Sequence, residues 1–384
     1  MSIKKILAFT GIRSDYDLMS GLYSKIMEDP QMELGLIVCG AHLAETYGYT
    51  LQYIEKDNMP IIAKIESLLD SNSPASRIKS ASILMQSCIH TVEAFNPDVI
   101  LYAGDREEVI VGALLGAYMG IPTAHFFGGD HATDGNVDNV VRHACSKLSS
   151  VHFVTHEIHK QRLIKMGEME NRIYMIGNPA LDKYINTENI DKKTILDKLG
   201  REEWDEYAVL IFHPTLGFET QAGLYFEQIL TALKNKGIST FASYPNSDAG
   251  NKNVIEVIKK YAKDDNFSFY TNLERNVFIN LMRNANFLIG NSSAGLIEAP
   301  SIPLAAINVG IRQRDRLATS NVLFVDQNVE AIMEAIQTVN DKEFRNKLLN
   351  IKNPYGDGNS VSRALDLLKR IEFNKHQTKW EDPL

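Results

Sequence analysis

At 384 residues the chain is too long for one ordinary domain, and roughly 150 residues per domain gives about two to three. Its apolar (44%) and charged (23%) fractions are those of a globular protein with a substantial core. The formal net charge of −8 argues against nucleic acid or an anionic membrane as partner, because gripping many phosphates needs a basic excess. Three widely spaced cysteines (Cys39, Cys88, Cys145) lie in apolar surroundings and read as buried thiols rather than a disulfide framework.

The chain opens MSIKKILAFT, two lysines before an apolar run. Residues 6–9 are too few for a signal-peptide core or a bilayer span, so they read as a first strand and the protein as cytoplasmic. Gly11-Ile12-Arg13-Ser14-Asp15-Tyr16 follows, then a helical pattern to about residue 27. Strand, glycine turn and helix start make an anion site, with backbone N–H groups and Arg13 aimed at it. A second strand is expected over residues 34–39 and a helix over 75–95.

The central stretch is residues 97–147. Residues 99–103 form a continuous apolar run, as in a parallel strand buried on both faces. Asp105 and Arg106 sit at its end, before a helix carrying Val109, Ala113, Leu114 and Ala117. A second buried strand over 122–127 ends in Gly128-Gly129-Asp130, and a polar loop leads to Asp138, Arg142 and His143 on another helix. Open α/β sheets bind ligands where strands end and helices begin. Three carboxylates (Asp105, Asp130, Asp138) and two arginines (Arg106, Arg142) are therefore expected at one place.

Strands over 151–155 and 172–176 flank a helix over 156–166. The polar segment 182–205 is expected to connect two domains. From residue 207 a second series begins: strands in AVLIFHP, STFAS, FSFYT, ANFLIG and LAAINVG, with one helix running to about residue 236 and others over 251–262 and 273–284. A helix over 360–372 crosses back. The expected class is α/β, two facing Rossmann-like domains with a cleft between them: residues 1–181, joined by 360–384, and residues 182–359. Two α/β domains with nucleotide-type loops suit an enzyme of sugar nucleotides.

Several residues also have ordinary structural explanations. Asp105 suits a helix cap, and Asp138 with Arg142 an i,i+4 ion pair. Ser292 and Ser293 suit caps, Gly128-Gly129 a tight turn. The histidines between 125 and 159 lack HExxH spacing and a nearby cysteine pair, so no metal is expected. Without a GxGxxG fingerprint no nicotinamide nucleotide is expected, nor any permanent cofactor. Arg312, Arg314 and Arg316, in an acidic chain, fit a phosphate clamp better than a nucleic-acid patch.

GIRSDY (11–16), GDREE (104–108), HFFGGD (125–130), Asp138 to His143, IGNPALD (176–182), HP (213–214), YPNSDAG (244–250), GNSSAGLIEAPS (290–301) and NVGIRQRDR (308–316) occur in one order along the chain. As a set they resemble the UDP-N-acetylglucosamine 2-epimerases, above all the hydrolysing branch that makes N-acetylmannosamine or a 2,4-diacetamido relative for sialic- and legionaminic-type acids. The resemblance implies a glycosyltransferase-B-like fold, a UDP- or GDP-linked sugar as ligand, and a homodimer or homotetramer. It also implies that Arg13, Arg106 and Arg142 face phosphates and sugar, that His213 reaches the diphosphate, and that Asn246 lines the cleft. Ser292, Ser293 and Gly295 would bind phosphate oxygens, Glu298 the ribose hydroxyls, and Arg312 would close the site. Phe127 and Asp130 depart from the family, which carries an acidic residue at the first position and glutamate at the second.

The implied reaction is an elimination: a carboxylate takes the C2 proton as the C1–O bond to the diphosphate breaks. Water then adds to the glycal, and C2 is reprotonated from the opposite face. Asp105, Asp130, Asp138 and His213 are the expected catalytic set. Two alternatives share the architecture: a non-hydrolysing epimerase, and a glycosyltransferase, for which Phe127 would supply a stacking surface.

Overall fold

Short apolar runs, most of them followed by a turn and a helical pattern, build a parallel sheet strand by strand. The computed structural model describes residues 3–69, 71, 73–131, 137–245 and 249–380. Its contacts divide the chain into two units, one of residues up to 131, 137–183 and 355 onward, the other of residues 184–354.

The first unit holds β1 (Lys4–Thr10), β2 (Met32–Cys39), β3 (Ile61–Ile65), β4 (Val99–Ala103), β5 (Thr123–Phe126), β6 (Val151–Val154) and β7 (Ile173–Met175). Between them run α1 (Arg13–Glu28), α2 (Leu51–Lys56), α3 (Pro74–Phe95), α4 (Glu107–Met119), α5 (Val137–Leu148) and α6 (Glu157–Lys165). The strand order is β3-β2-β1-β4-β5-β6-β7, every pairing parallel. The order reverses between β1 and β4, where Ile6 faces Val99. Every residue of β4 is buried, as its unbroken apolar run requires.

Beyond α7 (Pro179–Asn186), the second unit holds β8 (Tyr207–Ile211), β9 (Ser239–Ser243), β10 (Phe267–Tyr270), β11 (Phe287–Gly290), β12 (Ala305–Val309) and β13 (Val322–Val325). Its helices are α8 (Lys192–Lys198), α9 (Ala222–Asn235), α10 (Asn251–Tyr261), α11 (Arg275–Arg283), α12 (Ala294–Ile297), α13 (Val329–Asn340) and α14 (Lys342–Leu348). The order β10-β9-β8-β11-β12-β13 is again fully parallel and reverses between β8 and β11. The last helix, α15 (Ser360–Arg370), buries Val361, Ala364 and Leu368 in the core of the first unit, with α1.

The segment 182–205 is not a plain connection. It carries the end of α7 and all of α8, and Ile195, Leu196 and Trp204 are buried in the second unit's core. Asp191 caps α8 by accepting from the Thr194 N–H (3.0 Å), which lets a short, mostly charged sequence hold a helix. Strands β3 and β13 and helices α2, α13 and α14 are likewise absent from the sequence-based expectation. Among the described residues no helix is long and apolar enough to cross a membrane.

Candidate active site

In the first unit three turns follow the adjacent strands β1, β4 and β5. After β1, the Asp15 carboxylate accepts from Thr10 Oγ1 (2.5 Å), Gly11 N–H (2.9 Å) and Ile12 N–H (3.3 Å), which folds the glycine turn onto α1. Burial raises its pKa, but His42 at 3.8 Å and hydrogen bonds from Thr10 and Gly11 outweigh that and hold it below the usual carboxylate range. Arg13 lies 4.5 Å above the Tyr53 ring and 3.7 Å from Asp17.

After β4, Asp105 pairs with Arg142 of α5, both side chains largely enclosed. Asp105 is not the cap of α4: that position is Arg106, which is exposed. Glu107 pairs with Arg77 of α3, whose guanidinium also reaches Asp138 at 3.6 Å. The sequence offered Asp138 and Arg142 as partners one helical turn apart; the structure gives Arg142 to Asp105 and Arg77 to Asp138. Burial pushes the Asp138 carboxyl upward, against Arg77 and Arg106, which pull it down.

After β5 the chain turns sharply, with φ of 65° at Phe127 and 75° at Gly129. A Cβ on Gly129 would lie 2.3 Å from the His159 carbonyl oxygen, so only glycine lets this turn press on α6. Asp130 then accepts from the His131 N–H (2.8 Å) and stands 3.3 Å from His159 Nε2, whose other nitrogen meets Thr155 Oγ1 (2.7 Å). Phe127 packs against the core cluster containing Phe126, Phe153 and Ile176. Part of the stacking surface expected of it is thus taken up by the core. His125, fully buried and pushed down to about 3 by burial, stays neutral and donates from Nε2 to the Gly104 carbonyl (2.8 Å), tying the β4 and β5 turns together.

Asp105, Asp130 and Asp138 thus sit on neighbouring turns and on α5, each facing a different cationic or imidazole partner. Sequence reasoning missed those partners. Arg77 and His159 carry no motif, and Asp15 and Glu108 were hidden inside motifs read for their neighbours.

In the second unit a buried asparagine organises the site. Asn291, at the end of β11, accepts from the His213 N–H (2.8 Å) and donates to the His213 carbonyl (2.7 Å). Its own carbonyl accepts from Arg312 and from Gln313 Nε2, both at 3.2 Å. One side chain and one carbonyl therefore fix the turns after β8, β11 and β12 together. His213, half-buried, is pushed down to about 3 by burial and by Arg312, so it is a neutral donor or acceptor. Ser292 Oγ accepts from the Ala294 N–H (3.3 Å), and Ser293 follows on the same turn. Gly295 is buried, and a Cβ there would meet Ala306 Cβ at 3.1 Å; its visible work is close packing of α12 on β12. Glu298 Oε2 is buried with no hydrogen-bond partner among the described residues, and burial raises its carboxyl against Arg275 and Arg316. Such an acceptor suits hydroxyl donors from a ligand. Asn246 lies outside the described residues. Among the described residues no group of three or more His, Cys, Asp or Glu is placed to hold a metal ion.

Three comparisons place the chain among known proteins. The family model described as UDP-N-acetylglucosamine 2-epimerase matches residues 24–369. A UDP-N,N'-diacetylbacillosamine 2-epimerase (hydrolyzing) of Legionella pneumophila is 33% identical over 372 residues, 97% of each chain. A GDP/UDP-N,N'-diacetylbacillosamine 2-epimerase (hydrolyzing) of Campylobacter jejuni is 32% identical, over 90% of each chain. Among solved structures, the UDP-GlcNAc 2-epimerase of Neisseria meningitidis bound to UDP-GlcNAc superposes with a TM-score of 0.82 at 20% identity, covering 96% of this chain and 100% of that one.

Proposed function

This chain belongs to the UDP-N-acetylglucosamine 2-epimerase family, and on that premise we propose that it is a hydrolysing sugar-nucleotide 2-epimerase acting on a UDP- or GDP-linked 2,4-diacetamido sugar or on UDP-GlcNAc. The observation that carries the reading is the gathering of Asp105, Asp130 and Asp138 at the carboxyl ends of β4 and β5 and on α5, each beside its own cation or histidine.

C2 of a 2-acetamido sugar carries no acidified proton, so departure of the C1 leaving group must drive its removal. In the proposed reaction a carboxylate, Asp105 or Asp130, takes the C2 proton. The C1–O bond breaks, its electron pair leaves with the diphosphate, and a glycal remains. Arg106, Arg312 and the neutral His213 offset the negative charge growing on that diphosphate, while the turn at Ser292 and Ser293 gives hydroxyl and N–H donors to its oxygens. Glu298 accepts from the ribose. Water adds its oxygen to C1 and passes its proton to a neighbouring carboxylate, while Asp138 delivers a proton to C2 from the opposite face. The products are free nucleoside diphosphate and a manno-configured sugar, a precursor for sialic- or legionaminic-type acids. On this reading the enzyme works in the cytoplasm as a homodimer or homotetramer.

Incubation with each sugar nucleotide in D2O tests it by NMR. The expected product is free manno-sugar with deuterium at C2, together with UDP or GDP. A manno-sugar still carrying its diphosphate, or transfer to an acceptor without free sugar, would refute it.

A further inference from the structure

We propose that Asp15 and Glu108 share one proton, and that neutral Glu108 is a positioning residue which binds the β1 turn to the β4 turn and leaves Arg106 to an anionic substrate. Glu108 lies in the first turn of α4 and is 5% exposed. Its carboxyl presses on the β1 turn so closely that a Cβ on Gly11 would stand 2.6 Å from Glu108 Cδ and Oε2. There it shares its neighbour with the Asp15 carboxyl, whose Oδ2 accepts from the Gly11 N–H at 2.9 Å, so the two acids close on one residue. Two carboxylates so placed need a proton between them, and stripped of it they repel. Chemistry decides which one carries it: both Asp15 oxygens already accept, from Thr10 on one side and from Gly11 and Ile12 N–H on the other. Asp15 is the anion, and Glu108 is the acid that donates to it.

The surrounding groups agree. Asp15 disfavours a charge on Glu108 and Arg106 favours it, while His42 stands 3.8 Å from Asp15. Cys39 and Tyr23, the other titratable groups packed here, are held neutral by burial. Burial first, then Asp15, push Glu108 up to about 8, so at neutral pH the proton stays. Glu108 Oε1 has no partner among the described residues, so nothing else compensates a charge there. When the proton leaves, the two turns repel each other and the new anion competes for Arg106.

The role of Arg106 in substrate binding rests on the proposed function, so the test has one arm that does not. Infrared difference titration of the full chain should show a protonated-carboxyl C=O band that vanishes near pH 8 and is missing in Glu108→Gln. Kinetically, wild-type kcat/KM should fall about tenfold per pH unit above that point. Glu108→Gln, whose amide donates to Asp15 as the acid does, should stay within about threefold of wild type at pH 7 and lose that alkaline limb. Glu108→Ala should lose about tenfold or more, chiefly through KM, with Gln as the rescuing variant. The proposal is overturned if the wild type lacks the band, if Gln and Ala are equally impaired at pH 7, or if the alkaline limb survives in Gln. Failure of the wild type to turn over any sugar nucleotide would sink the proposed function, and the band would still decide the proton.

Discussion

At the scale of single residues, one side-chain type is differentiated by its partners. Asp105 faces an arginine, Asp130 a histidine held by a threonine hydroxyl, and half-buried Asp138 has Arg77 at its edge. A group that exchanges a proton with C2 cannot be replaced by its amide, although the amide oxygen still accepts from Arg142. Asp105→Asn should therefore fold with an unchanged thermal midpoint while kcat falls by about 10² to 10⁴ and deuterium no longer enters C2. Unchanged turnover would remove Asp105 from the chemistry. The three aspartates were legible because each follows a strand or opens a helix. The inward turn of Phe127 was not, since a positive φ in a non-glycine residue has no signature in composition.

At the scale of elements, the turn after β11 shows how local sequence becomes a site. Gly290 has φ of 129°, and a Cβ there would lie 2.0 Å from the Ile211 carbonyl oxygen on the neighbouring strand β8. Backbone meets backbone, so no rotamer relieves the clash. Gly290→Ala should cost at least about 2 kcal/mol of stability in a denaturant titration. The next residue, Asn291, braces three turns at once. Asn291→Ala leaves the His213 N–H without its acceptor, so it should destabilise by about 1 to 3 kcal/mol. It should also raise KM for the sugar nucleotide more than it lowers kcat, because the turns carrying His213 and Arg312 lose their common brace. An equal loss in kcat with KM constant would contradict that division. The missed elements share a cause: β3 alternates half-buried and exposed positions at a sheet edge, and α8 is too short and charged to show a stripe.

At the scale of the whole molecule, buried titrating groups set how stability follows pH. His125 and His213 are held near 3 when folded, against 6.5 when free, so the unfolded chain binds more protons between those values. Their contribution is present above pH 6.5 and lost as pH falls toward 3. Glu168, pulled down to about 2 by His152, Lys147 and Lys379 despite its burial, adds a loss below 4.5. Glu108 works the other way, its contribution falling as pH rises from 4.5 through about 8. Two histidines outweigh one glutamate between pH 6.5 and 4.5, so the thermal midpoint should drop on acidification across that window. A midpoint flat from pH 7 to pH 5 in a calorimetric series would contradict these assignments.

What the amino-acid order settled by itself was the alternation of apolar strands with helices, the glycine turns that close them, and the motif set that points to one family. These are local properties, written in spacing and in the steric needs of a few residues. Tertiary structure alone decided the partners: Arg142 with Asp105, Arg77 with Asp138, Glu108 with Asp15, and one asparagine joining three turns. The reason is physical. A parallel sheet sets β1 beside β4 across almost ninety intervening residues, and burial then fixes which charges meet and which of them keep a proton.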